Sequence, residues 1–203
     1  MKEKIRFIIT VGILILIVSP SLSGAHPHTY IVNRFTVLFD NQGFAGIRVN
    51  WVFDKFFSTM ILEDYDGNHN GALEPAEVKT IQNEAFSYLA NHDYFVHIKI
   101  DGQPFKVKFV TDFTARTREG ALIYEFTIPC HVPAAGKPRQ LRVAPYDPTF
   151  YALILFAETE AVRLKSDAKF KVSHKIEKNP EEAYYNGMVQ PYEMILEFQL
   201  KNE

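Results

Sequence analysis

The chain has 203 residues, of which 47% are hydrophobic, 14% aromatic and 23% charged. That composition excludes a disordered, collagen-like or coiled-coil protein, and the length fits one domain whose core needs no disulfide staples. The formal net charge of −2 gives no basic excess to attract nucleic acid or an anionic membrane surface, and the single cysteine, Cys130, excludes an intrachain disulfide and a cysteine-based zinc knuckle.

The N-terminus carries an address. Lys2, Lys4 and Arg6 precede an apolar run from Phe7 to Val18, interrupted only by Thr10 and Gly12. Pro20, Ser21 and Ser23 end the run, and Ser23-Gly24-Ala25 supplies small residues for a cleavage site. Residues 1–25 therefore read as a secretory signal peptide. The run of 12 residues is shorter than the roughly 20 of a spanning helix; an uncleaved anchor is the alternative. The expected product is a periplasmic or secreted domain, residues 26–203, with no membrane insertion after cleavage. Removing residues 1–25 takes away three basic residues and one acidic one, leaving 19 against 23 and a net charge of −4.

Thr29 to Phe39 alternates and is rich in Tyr, Ile, Val and Phe, which predicts a strand. Asp40-Asn41-Gln42-Gly43 predicts a turn, and Phe44 to Val52 the returning strand of a hairpin. The period then changes. Phe53, Phe56, Phe57, Met60 and Ile61 lie at helical spacing, predicting a helix to about Tyr65. Pro75 is suited to opening a second helix, with Val78, Ile81, Ala85 and Leu89 as its apolar stripe and Asn91 as its stop. Tyr94 to Ile100 and Phe105 to Phe113 predict a hairpin across Asp101-Gly102. Further strands are expected at Ala121 to His131, Leu141 to Ala144, Phe150 to Phe156, Phe170 to Glu177 and Met194 to Leu200, with a short helix from Asn179-Pro180-Glu181-Glu182. The sum is an α+β chain: one β-rich, sandwich-like domain with an EF-hand-like helix–loop–helix inserted at about residues 53–91.

The loop between those helices carries the strongest chemical signal. Residues Asp66 to Glu77 fit the twelve-residue EF-hand pattern for Ca²⁺. Asp66, Asn68 and Asn70 stand at positions 1, 3 and 5, where short side chains surround a hard cation with oxygen. Gly71 permits the sharp turn at position 6, and Ala72 offers its carbonyl at position 7. Glu74 stands at position 9, and Glu77 at position 12 is long enough to chelate with both oxygens. Two of the side-chain ligands are amides and no second EF-hand is visible, so the expected dissociation constant is on the order of 10⁻⁵ to 10⁻³ M. Such a site suits a structural role better than signalling.

The second signal is His26-Pro27-His28. Cleavage after Ala25 would leave an N-terminal histidine. Its amine and imidazole, with His28, offer a brace for Ni²⁺, Co²⁺, Cu²⁺ or Zn²⁺. Pro27 has no N–H, which blocks the amino-terminal copper/nickel mode that needs a deprotonated second amide. Incidental, solvated histidines are the competing reading. Tyr146-Asp147-Pro148-Thr149-Phe150-Tyr151 reads as a structural corner in which Asp147 caps a turn, and Cys130 as a small buried residue. No phosphate loop or nucleophile elbow appears.

Taken together, the exported start, His26-Pro27-His28, Trp51-Val52-Phe53-Asp54-Lys55-Phe56-Phe57-Ser58, the 66–77 loop and Tyr146-Asp147-Pro148-Thr149 carry a resemblance over roughly residues 25–160. The chain resembles bacterial periplasmic proteins of unknown function labelled ABC-type transport system periplasmic component. The resemblance implies association with nickel/cobalt-type metal permeases and brings no settled activity. The expected function is that of an exported, non-enzymatic calcium-binding accessory to a membrane transporter, with His26 and His28 as candidates to present a transition metal. One alternative is a copper redox enzyme built on the histidine brace. Another is a calcium-stapled interaction module.

Overall fold

The structure is a computed structural model and describes residues 27–166 and 168–201. The signal-peptide segment and His26 lie outside the described residues. The chain folds into eleven described strands and a helical insertion that follows the second of them. This is the strand-rich α+β architecture that the patterning predicts.

Strands β1 (Thr29–Phe39) and β2 (Gly43–Phe53) form the expected antiparallel hairpin. Every second residue of β1 points inward: Thr29, Ile31, Asn33, Phe35 and Val37 are buried. That period of two is what puts one face of a strand into a core. Thr29 and Asn33 are the polar exceptions, and Asn33 Oδ1 accepts from Trp51 Nε1 at 3.0 Å. The chain next enters helix α1 (Lys55–Tyr65), the loop 66–74 and helix α2 (Pro75–Glu84). A run of 3₁₀ turns, Phe86–Phe95, leads into β3 (Val96–Ile100). After β4 (Gln103–Phe105) come β5 (Thr111–Arg118), β6 (Ala121–Pro133), β7 (Arg139–Pro145), β8 (Ala152–Phe156), β9 (Val162–Lys165), β10 (Phe170–Lys178) and β11 (Tyr192–Leu200).

One sheet has the order β5-β6-β2-β1-β8, with β9 also pairing β1. β8 and β9 run parallel to β1 and share its edge, β8 along Thr29–Asn33 and β9 along Phe35–Leu38. The other sheet, β10-β11-β7-β3-β4, is antiparallel throughout. The inner faces share one core. Phe39 of β1 meets Phe170 and Phe198 of the second sheet, each at 5.3 Å between ring centroids.

Helix α1 is tied at both ends of its first turn. Asp54 Oδ1 accepts from Phe57 N at 3.0 Å as the N-cap, and Oδ2 accepts from Tyr30 N at 2.7 Å. The buried Ser58 hydroxyl donates to Asp54 O at 2.6 Å and accepts from Leu122 N of β6 at 2.9 Å. The helix therefore docks through Phe57, Ser58 and Ile61, whereas Phe56 is 74% exposed and Met60 37%. The apolar stripe is narrower than spacing alone implies, because Phe53 belongs to β2 and the helix begins two residues later.

Three further expectations are corrected. Phe105 to Phe113 is not one strand: β4 ends at Phe105, and β5 pairs with β6 in the other sheet. Asp93 explains the break, since its Oδ1 accepts from Val107 N at 3.0 Å and draws that segment out of the hairpin. The second helix stops at Glu84, not Asn91, and gives way to 3₁₀ turns. The helix expected at Asn179 is a turn followed by a bridge between Tyr184 and Val189. The buried Asn179 side chain donates to Glu193 Oε2 at 2.9 Å, and its Oδ1 accepts from Glu181 N, a local bond that competes with helix. Strand β9, with only Val162 and Leu164 as its partly buried face, carries too short a pattern to be read in advance.

Candidate functional site

The loop between α1 and α2 gathers its side chains about one point. Carboxylate oxygens of Asp66, Glu74 and Glu77 lie within 4.8 Å of one another, and no other such acidic or metal-ligating group of three occurs among the described residues. Asp66 caps the C-terminus of α1 and is 3% exposed. Its Oδ2 accepts from Gly71 N at 2.8 Å, and its Oδ1 from Asn70 N at 3.3 Å. Asn68 Oδ1 accepts from Asn70 N at 3.0 Å, and Asn70 Oδ1 from Ala72 N at 2.7 Å. These bonds curl the backbone, and Gly71 takes the left-handed φ of +79° that the curl requires. His69 also has a positive φ, of 55°, and is exposed away from the cluster.

The far side of the loop is a capping box. Glu77 Oε2 accepts from Glu74 N at 2.9 Å, and Glu77 Oε1 reaches back across the loop to Gly67 N at 2.9 Å. Glu74 Oε1 accepts from the side-chain amides of Asn70 at 2.7 Å and Asn68 at 3.2 Å. Both amides favour the charged form of the Glu74 carboxylate. The other oxygen, Glu74 Oε2, is buried and has no hydrogen-bond partner. Ala72, at the seventh position, is exposed at the rim. The arrangement concentrates carboxylate charge around one small volume, the donor chemistry of a hard divalent cation.

Thr117 of β5, which sequence patterning does not single out, donates through Oγ1 to Gly71 O at 2.6 Å and pins the loop to the sheet. Nothing local marks it, because Thr117 and Gly71 are 46 residues apart.

The described histidines do not converge. His28 is exposed, its ring 5.0 Å from that of Tyr151, and it joins no group of three metal-ligating side chains among the described residues. His97 stacks on Tyr146 at 3.9 Å, and its Nε2 lies 3.1 Å from Tyr146 O. Burial lowers its pKa below the usual 6.5. The unfolded chain therefore binds a proton on His97 before the folded one does, and stability falls as pH drops below about 6.5. His97→Gln is expected to flatten the acid limb of a melting-temperature-against-pH curve; an unchanged limb would assign it to other groups.

Asp147 is 1% exposed and closes its corner as expected: Oδ1 accepts from Thr149 N and Oγ1 at 2.9 and 2.8 Å, and Oδ2 from Ala152 N at 3.0 Å. Burial pushes the Cys130 thiol up to about 11, which keeps it protonated and inert at neutral pH.

Fold and site define a strand-rich α+β protein with a helix–loop–helix that presents three carboxylates. The chain belongs to the family described as Protein of unknown function (DUF1007), whose model matches residues 11–193. It is 30% identical over 128 residues to an uncharacterized 15.5 kDa protein in the trpE 3' region of Spirochaeta aurantia, covering 63% of this chain and 91% of the relative. It is 25% identical over 182 residues to an uncharacterized protein of Haemophilus influenzae, covering 88% of this chain and 84% of the relative.

Proposed function

We propose that this protein is an exported calcium-binding protein that serves a membrane transport system without being an enzyme. The observation that carries the calcium reading is the convergence of Asp66, Glu74 and Glu77 within 4.8 Å, with Glu74 Oε2 buried and unpartnered. A buried carboxylate oxygen without a partner is costly, and a cation is the natural complement to it. Asp66, Asn68, Asn70, the Ala72 carbonyl, Glu74 and Glu77 would hold the ion, and the amide ligands keep its affinity low. Calcium in this role staples α1 to α2 and, through Gly71 and Thr117, the insertion to β5.

The transport role rests on the resemblance to periplasmic transport components and on the signal-peptide pattern. Under this reading His26 and His28 supply a transition-metal brace. Elemental analysis of the mature protein, purified from the periplasm without chelator, tests both parts. Calcium is the expected result; stoichiometric nickel, cobalt, copper or zinc beside it would support the brace, and His26→Ala would then lose the transition metal while keeping calcium. Calcium alone would retire the brace and leave a calcium-stapled interaction module, a reading favoured by the exposed aromatics Phe56 and Tyr88, 74% and 68% accessible. Absence of calcium would overturn the main proposal.

A further inference from the structure

An apolar cavity of about 320 Å³ lies between the first sheet, the helical insertion and the 147–152 corner. Trp51, Phe53 and Tyr124 form its sheet wall, and Phe57 and Phe86 its helical wall. Tyr151, beside His28, stands at the corner. This is far larger than the water-sized voids left by ordinary core packing, and it falls at the small end of ligand pockets.

Thr29, His92, Thr149 and Asp147 join the tyrosines as polar side chains along this apolar space. Thr29 is 3% exposed, and its Oγ1 has no hydrogen-bond partner. Asp147 is 1% exposed, and no Lys, Arg or His among the described residues forms an ion pair with it. A carboxylate has about four acceptor sites, and the Thr149 amide, the Thr149 hydroxyl and the Ala152 amide fill three of those on Asp147. One acceptor site and one negative charge are left over. A ligand that satisfies both groups carries hydrogen-bond donors and a positive charge on an apolar body. The aromatic walls favour such a cation as well, through their ring faces.

We propose that this cavity is a binding site for a small organic amine with an aromatic-sized apolar body, its ammonium group at Asp147 and Thr29. The site is independent of the calcium loop.

Trp51 is the single tryptophan of the chain, so its emission reports an occupant directly. Phenethylamine, neutral ethylbenzene and anionic phenylacetate are titrated in turn into the mature protein under tryptophan-selective excitation. Phenethylamine is expected to change the emission saturably and to bind about tenfold or more tighter than ethylbenzene, as a charge-assisted hydrogen bond requires. Phenylacetate is expected to leave the emission unchanged. Asp147→Asn should abolish the preference for the amine over ethylbenzene. Ala85→Leu, which adds bulk at the cavity wall, should abolish the response to both. Equal affinity for the amine and ethylbenzene, or an amine preference that survives Asp147→Asn, would overturn the head-group assignment. No saturable response to any probe, or undiminished binding in Ala85→Leu, would overturn the site. If Asp147→Asn fails to fold, the three-probe series on the unaltered protein decides the charge preference alone.

Discussion

Glu77→Gln is expected to remove most of the calcium-dependent rise in melting temperature. At one hundred times its dissociation constant, a ligand that binds only the folded state adds about 2.7 kcal/mol. For a domain of this size that is a shift of roughly 5 to 10 °C. The substitution takes one of three converging carboxylates out of the cluster and ends bidentate chelation from the twelfth position. It also weakens the capping box, because one of the two oxygens that accept from Glu74 N and Gly67 N is lost. The melting temperature without calcium should therefore fall slightly, by the fraction of a cap's worth of about 1 kcal/mol. Asn68→Asp is the complementary test. It adds a carboxylate at the third position and is expected to tighten calcium binding, read by calorimetric titration. An unchanged calcium shift in Glu77→Gln would remove the loop from any account of calcium in this protein.

Gly46→Ala should be strongly destabilising for so small a substitution in the first sheet, for a reason that has nothing to do with the loop. Gly46 sits where the β2–β6 register shifts, between Phe44 and Gly46, opposite Pro129. Its φ is +151°, and a Cβ there would meet the backbone oxygen of Ile128 at 2.5 Å. The obstacle is main chain in a central pair of strands, so neither partner can give without breaking ladder bonds. The expected cost is about 3 kcal/mol or more, roughly 10 °C in melting temperature. Gly102→Ala provides the contrast. It has a left-handed φ of +83° but nothing within 4 Å of its Cβ, so only the conformational penalty of about 1 kcal/mol remains. Equal melting temperatures for the two variants would refute the close-approach argument.

The candidate loop is legible because its oxygen-bearing residues are contiguous. An oxygen-lined turn of twelve residues is written entirely in local spacing, and the left-handed Gly71 and the capping box at Glu74 and Glu77 lie within it. The β1–β2 hairpin is legible for the same reason, and its register pairs Ile31 with Phe53 and Val37 with Ile47 as the alternation requires. The cavity is different. Thr29, Trp51, Phe86 and Asp147 are far apart in the chain, and no spacing rule links them. Asp93 shows the same limit on a smaller scale. Its bond to Val107 ends a hairpin that patterning alone would extend, and Asp93, Tyr94 and Phe95 all hold a left-handed φ of 53° that no residue preference announces.

The amino-acid sequence by itself determined the strand-rich composition of elements, the position of the helical insertion and the order of oxygen-bearing side chains in its loop. Period, capping and turn chemistry act over a few residues and need no knowledge of what packs above them. Tertiary structure alone decided which strands share a sheet, which face of α1 is buried and where an apolar cavity remains. Those outcomes depend on long-range closure, in which Ser58 meets Leu122 and Thr117 meets Gly71. Such contacts form only after distant segments have been brought together by burial of the common core, so the residues that make them carry no local mark.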